Sequence, residues 1–203
     1  MEIDENMKEV KIILLGDVGV GKTSIISRYD KNIFSEKNIS TLSSSFITKQ
    51  VKKGDITYNL NIWDTSGQEK YRSVTKLFVQ GANIVILVYA IDVKETFDIL
   101  NFWHKTVIDL IEDEENIILA IVGNKSDKFE DAVITEEDGQ KIANEKKAIF
   151  KLVSAKEDPK GIFSLFDTLL NEYINKNSNH DIRQHSFRLD NIKENKNKKK
   201  NCC

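Results

Sequence analysis

Hydrophobic positions fall into short clusters separated by longer polar stretches. Val10 to Leu15, Ile84 to Ile91, Ile117 to Val122 and Ala148 to Val153 are rich in Ile and Val and do not alternate with polar residues. Such runs suit strands buried on both faces of a parallel sheet. Ile56 to Trp63 alternates, and Lys53-Gly-Asp55 separates it from Phe46 to Lys52, a pattern that predicts a hairpin and one antiparallel edge. Between the strands, Thr23 to Tyr29, Thr96 to Ile111, Thr135 to Lys146 and Ile162 to Ile174 carry apolar residues at three-to-four spacing, which predicts helices. The alternation of the two element types predicts a doubly wound α/β domain with six strands, ending near Ile174.

Composition divides the chain further. From Lys176 to Cys203 there are eight Lys or Arg against three Asp or Glu, a net of +5, with no sustained apolar period. Subtracting this from the whole-chain charge of −2 leaves −7 for the body. The organisation expected is a short extension over residues 1–9, a domain over 10–175, and a disordered basic tail over 176–203. The mixed charge argues against a nucleic-acid binder. The acidic N-terminus and the lack of a long apolar run predict neither a signal peptide nor a membrane-spanning helix. Cys202 and Cys203 are the only cysteines, so neither a disulfide framework nor a structural zinc site is expected.

The first strand runs into Gly16-Asp17-Val18-Gly19-Val20-Gly21-Lys22-Thr23-Ser24, which satisfies the G-x-x-x-x-G-K-[ST] pattern between a strand and a helix. Its glycines let backbone N–H groups curl around phosphate oxygens. Lys22 is expected to bridge the outer phosphates and Thr23 to ligate Mg²⁺. Asn124-Lys125-Ser126-Asp127 follows the strand Ile117 to Val122. A carboxylate there can accept from both N1–H and the exocyclic amine of guanine, a donor pair that adenine lacks. Asp127 thus selects GTP or GDP.

With these motifs the chain resembles the Ras superfamily of small GTPases, in which N-K-x-D reads guanine and S-A-K, here Ser154-Ala155-Lys156, supports it. The resemblance implies the P-loop GTPase fold with about five helices. Trp63-Asp64-Thr65-Ser66-Gly67-Gln68-Glu69 is similar to the family's W-D-T-A-G-Q-E. By that likeness Asp64 holds Mg²⁺ through water, Gly67 donates to the γ-phosphate, and Gln68 is the catalytic residue that orients the attacking water. Thr41 lies where the family's Thr closes over Mg²⁺ and the γ-phosphate, and Phe34 matches the aromatic beside guanine. Loops that gain contacts only from a third phosphate relax after hydrolysis, which makes the protein a switch.

Thr41-Leu-Ser-Ser-Ser-Phe46 and Gln68-Glu-Lys-Tyr71-Arg-Ser73 resemble Rab segments, most closely those of the endosomal subgroup. Phe46, Trp63 and Phe78 match three apolar effector positions, and Cys202-Cys203 matches the prenylated terminus. The branch implies a monomer that meets an exchange factor, an activating protein, effectors, a prenylation escort and a dissociation inhibitor. It also implies attachment to the anionic cytoplasmic leaflet of an intracellular, vesicular membrane. Two lipid chains give the stable anchoring that one does not, and Lys196, Lys198, Lys199 and Lys200 add attraction to such a leaflet.

Three positions depart from the pattern. Val18 stands where Ser, Ala or Gly is usual, Ser43 replaces Gly and Ser66 replaces Ala. A β-branched Val18 is expected to crowd the meeting point of Gln68 and water and slow hydrolysis. The alternatives left open are a P-loop ATPase or nucleotide kinase, a nucleotide-binding scaffold with negligible hydrolysis, and a switch outside membrane traffic.

Overall fold

The computed structural model describes residues 6–36, 45–65, 76, 78–111 and 117–178. Six strands form one sheet in the order β2-β3-β1-β4-β5-β6. They are β1 (Met7–Leu15), β2 (Ser45–Lys53), β3 (Ile56–Asp64), β4 (Ile84–Ala90), β5 (Ile118–Asn124) and β6 (Ile149–Leu152). Among the described residues only β2 and β3 pair antiparallel, as the hairpin pattern predicts. Every residue of β4 and β5 is buried, which is why neither alternates. β6 pairs with β5 alone, over Ala120 to Gly123. It is therefore shorter than its apolar run and only half-buried.

Helices cover the two faces. They are α1 (Lys22–Lys31), α2 (Lys94–Asp98), α3 (Leu100–Ile108), α4 (Glu136–Glu145) and α5 (residues 159–178). On one face Ile12, Leu14, Leu60 and Ile62 pack with Ile25 of α1 and Phe166 and Leu169 of α5. On the other, Ile13, Leu15, Val85 and Leu87 pack with Trp103, Val107 and Ile142. No helix of the described residues is long and apolar enough to cross a membrane.

Several boundaries differ from the expectations, and α5 runs on to residue 178, past Ile174 and into the stretch expected to be tail. β1 starts at Met7 rather than Val10, because Met7 to Glu9 pair with Thr57 to Asn59 although their side chains are exposed. The single helix expected over Thr96 to Ile111 is two: Ile99, at ψ −6°, interrupts it, and α3 stops at Ile108. α5 starts before Ile162 because Asp158 accepts the Gly161 N–H at 2.8 Å and Pro159 suits a first helical position.

Candidate functional site

The carboxyl ends of β1, β4 and β5 lie side by side, so the loops leaving them meet at one end of the sheet. The loop after β1 enters α1 through Gly21, at φ 95°, with no side-chain cap and no acidic residue in the first turn. α4 is the opposite case. Thr135 and Asp138 form a capping box there, and Glu136, Glu137 and Asp138 fill the first turn. α1 thus begins with no capping side chain and no acidic residue of its own, whereas the first turn of α4 is served by its own side chains.

Lys22 folds over this loop and donates to the carbonyls of Gly16 and Asp17, each at 2.8 Å. It is almost fully buried. Burial pushes its ammonium down to about 8, against the pull of Asp64 and Asp17. The Thr23 hydroxyl donates to Asp64 Oδ2 at 2.6 Å. Asp64 is 1% exposed, and its Oδ1 has no hydrogen-bond partner among the described residues. Burial raises this carboxyl above its usual range, with the Thr23 hydrogen bond and Lys22 acting the other way. An orphaned carboxylate oxygen beside a hydroxyl fits a hard cation that takes oxygen ligands, as Mg²⁺ does.

The base-side loops are tied to this half by Asn124. Its Nδ2 donates to the Val20 carbonyl at 2.8 Å, and its Oδ1 accepts from the Ala155 N–H at 3.1 Å. Asp127 lies in the short 3₁₀ helix Ser126–Asp131, entered through Lys125 at φ 67°. The Ser154 hydroxyl donates to Asp127 Oδ1 at 2.5 Å and accepts from the N–H groups of Lys156 and Glu157. The second Asp127 oxygen and the remaining acceptor capacity of the first are what a donor pair on guanine would use.

Both halves open into one cavity of about 390 Å³ lined by Gly19, Gly21, Ser24, Phe34, Asn124, Lys125, Asp127, Ala155 and Lys156 among others. A larger cavity of about 640 Å³ lies at the other end of the sheet, beside Asn83, Asp109 and Ile117, and contains none of the motif residues. Convergent polar groups, rather than volume, make the smaller one the candidate site. Val18 is exposed, and its N–H donates to Asp17 Oδ1. Phe46, Trp63 and Phe78 come together, with ring centroids 4.8 and 5.3 Å apart along the series. Thr41, Ser43, Ser66, Gly67, Gln68, Cys202 and Cys203 lie outside the described residues.

Several residues at the site escaped the sequence reading. Arg28 reaches from α1 to the Ala155 and Lys156 carbonyls. Glu36 pairs with Lys156 at 3.0 Å. Asp92 receives Lys128 at 2.6 Å and Lys125 at 3.4 Å. The Thr65 hydroxyl donates to the Leu14 carbonyl. These partners are far apart along the chain, so no local pattern announces them.

The Ras family profile matches residues 11–175. The chain is 34% identical to the Ras-related protein RabC of Dictyostelium discoideum over 195 residues, 95% of this chain and 96% of the relative. It is 38% identical to Rab2BV of Beta vulgaris over 80% of this chain and 74% of that one. Against human Rab-17 the identity is 36%, over 82% and 77%. With the phosphate loop and the guanine loop sharing one cavity in a six-stranded α/β fold, the chain belongs to the Ras family of small GTPases and, by these relatives, to its Rab branch.

Proposed function

We propose that the protein is a nucleotide-dependent membrane switch in vesicle traffic, binding GDP and GTP with Mg²⁺ in the cavity described and hydrolysing GTP. The observation that carries this reading is Asn124, which binds the phosphate loop and the base loop together and makes their cavity one nucleotide-sized site. The N–H groups of the Gly16 to Lys22 loop and the α1 terminus receive the phosphates. Lys22 exchanges its two carbonyl partners for phosphate oxygens. Thr23 and Asp64 hold the cation, which when bound neutralises charge on the outer phosphates. Asp127, fixed by Ser154, reads the guanine edge, and Phe34 lies beside the base.

Gln68 is assigned the orientation of water, and Thr41 and Gly67 the sensing of the third phosphate, by their match to the family pattern. The Phe46, Trp63 and Phe78 rings are the surface that effectors read. Cys202 and Cys203 carry lipid, and the basic tail adds affinity for an anionic leaflet. Single-turnover GTP hydrolysis compared with Gln68→Leu tests the catalytic part. A slow wild-type rate that falls in the variant is expected, and equal rates would leave Gln68 idle and favour the scaffold reading. Membrane fractionation of a Cys202→Ser, Cys203→Ser double variant tests the anchor, since unchanged membrane association would remove it.

A further inference from the structure

Arg28 lies on α1, six residues after Lys22, and its side chain is half-buried. Its Nε donates to the Ala155 carbonyl at 2.8 Å and one terminal nitrogen to the Lys156 carbonyl at 2.9 Å, 127 and 128 positions away. The other terminal nitrogen donates to the Asn32 carbonyl at 2.9 Å, where α1 ends in a left-handed residue. The guanidinium carbon stands 6.0 Å from the centroid of Phe34. One rigid planar fork thus touches the loop after β6, the end of α1, and the aromatic that lines the cavity.

The two carbonyls it holds belong to residues that themselves line the cavity. The Ala155 N–H bonds Asn124, and the Lys156 N–H bonds the same Ser154 hydroxyl that fixes Asp127. Moving the Ala155–Lys156 backbone would therefore disturb both Asn124 and Asp127. Without Arg28, that stretch keeps its own polar partners but loses the link that sets its height above α1. We propose that Arg28 is a positioning residue for guanine recognition, holding the Ala155–Lys156 backbone where Asn124 and Asp127 meet the base, without touching the nucleotide itself.

This inference rests on the cavity being the guanine nucleotide site, and the test separates the two. Release of fluorescent GDP and of fluorescent inosine diphosphate, which lacks the exocyclic amine, is timed for wild type, Arg28→Lys and Arg28→Gln. Wild type is expected to hold GDP more slowly exchanging than the inosine analogue; if it binds neither, the site assignment itself fails. Arg28→Gln should release GDP about tenfold faster, the effect of losing one charge-assisted hydrogen bond. The inosine analogue should speed up less, so that discrimination between the two shrinks. Arg28→Lys, which keeps the charge and can donate to one carbonyl at a time, should fall between. A purely structural Arg28 would lower the unfolding temperature and speed both nucleotides by the same factor. That result, or unchanged release of both in a folded Arg28→Gln protein, overturns the proposal.

Discussion

The side-chain amide of Asn124 donates to the main-chain carbonyl of Val20 across 2.8 Å, joining positions 104 residues apart. The other end of the same amide accepts the Ala155 N–H, and all three residues are buried. Asn124→Ala leaves a buried acceptor and a buried donor unpaired, at about 1–3 kcal/mol each. GDP affinity in an equilibrium titration is expected to fall at least about 100-fold, together with a lower unfolding temperature. Unchanged affinity would mean that the two loops hold their places independently.

Gly21 supplies a check on the same joint. A Cβ built there would come within 2.3 Å of Asn124 Nδ2, and the backbone sits at φ 95°. Gly21→Ala should therefore displace Asn124 and weaken GDP binding much as Asn124→Ala does. The double variant should be little worse than either single one, because both break one contact. Additive losses would place the defect of Gly21→Ala in the backbone alone.

On the proposed function, Asp127 offers carboxylate oxygens to a base whose edge donates twice. In Asp127→Asn one acceptor becomes a donor, which matches xanthine, whose C2 carbonyl replaces the amine of guanine. GTP affinity should drop by about 100-fold or more, since hydrogen bonds to charged groups contribute about 1.5–3 kcal/mol each. Affinity for xanthosine triphosphate should rise over the wild-type value. Competition binding with the two nucleotides reads both changes, and an equal loss for both would argue against base reading by this residue.

Thr23 and Asp64 are in contact before any cation is considered. Chelating Mg²⁺ is expected to speed GDP release from the wild type by at least about tenfold, the equivalent of about 1.4 kcal/mol. Asp64→Ala should release GDP quickly from the start and respond little to chelator. A variant that responds as strongly as wild type would show that the cation is held without this carboxylate.

Asp92 provides a pH-dependent contribution to stability. Burial alone would raise its carboxyl, but the Lys128 hydrogen bond and the charges of Lys125 and Lys128 outweigh it and hold the group below the usual carboxylate range. A depressed folded-state value stabilises the fold above the unfolded value of about 3.9, and the contribution disappears as pH falls through the folded value. Asp92→Asn should therefore be about 1 kcal/mol less stable than wild type at pH 7. The gap should close in urea titrations carried below about pH 4. A gap that persists in acid would be due to shape rather than charge.

The strands were legible because burial on both faces leaves a compositional mark. β4 and β5 have no position that solvent could claim. That the Gly16 to Ser24 and Asn124 to Asp127 motifs share one cavity was legible for another reason: each is a set of particular residue types at fixed spacing within a few positions. Arg28 and Glu36 carry no such mark. Each acts on residues more than a hundred positions away, and an arginine on a helix face is equally at home in solvent. β1 began earlier than its apolar run for a related reason, since main-chain pairing with β3 holds Met7 to Glu9 whatever their side chains are.

Trp63 and Asp64 are consecutive on β3, so their side chains leave the strand on opposite faces. Asp64 meets Thr23 at the start of α1, while the Trp63 ring stands between those of Phe46 and Phe78. A single peptide unit therefore separates the inner carboxylate from the outer indole. A displacement of β3 at Asp64 thus reaches the Trp63 ring directly and shifts it against Phe46 of β2 and Phe78, with no relay of side chains in between.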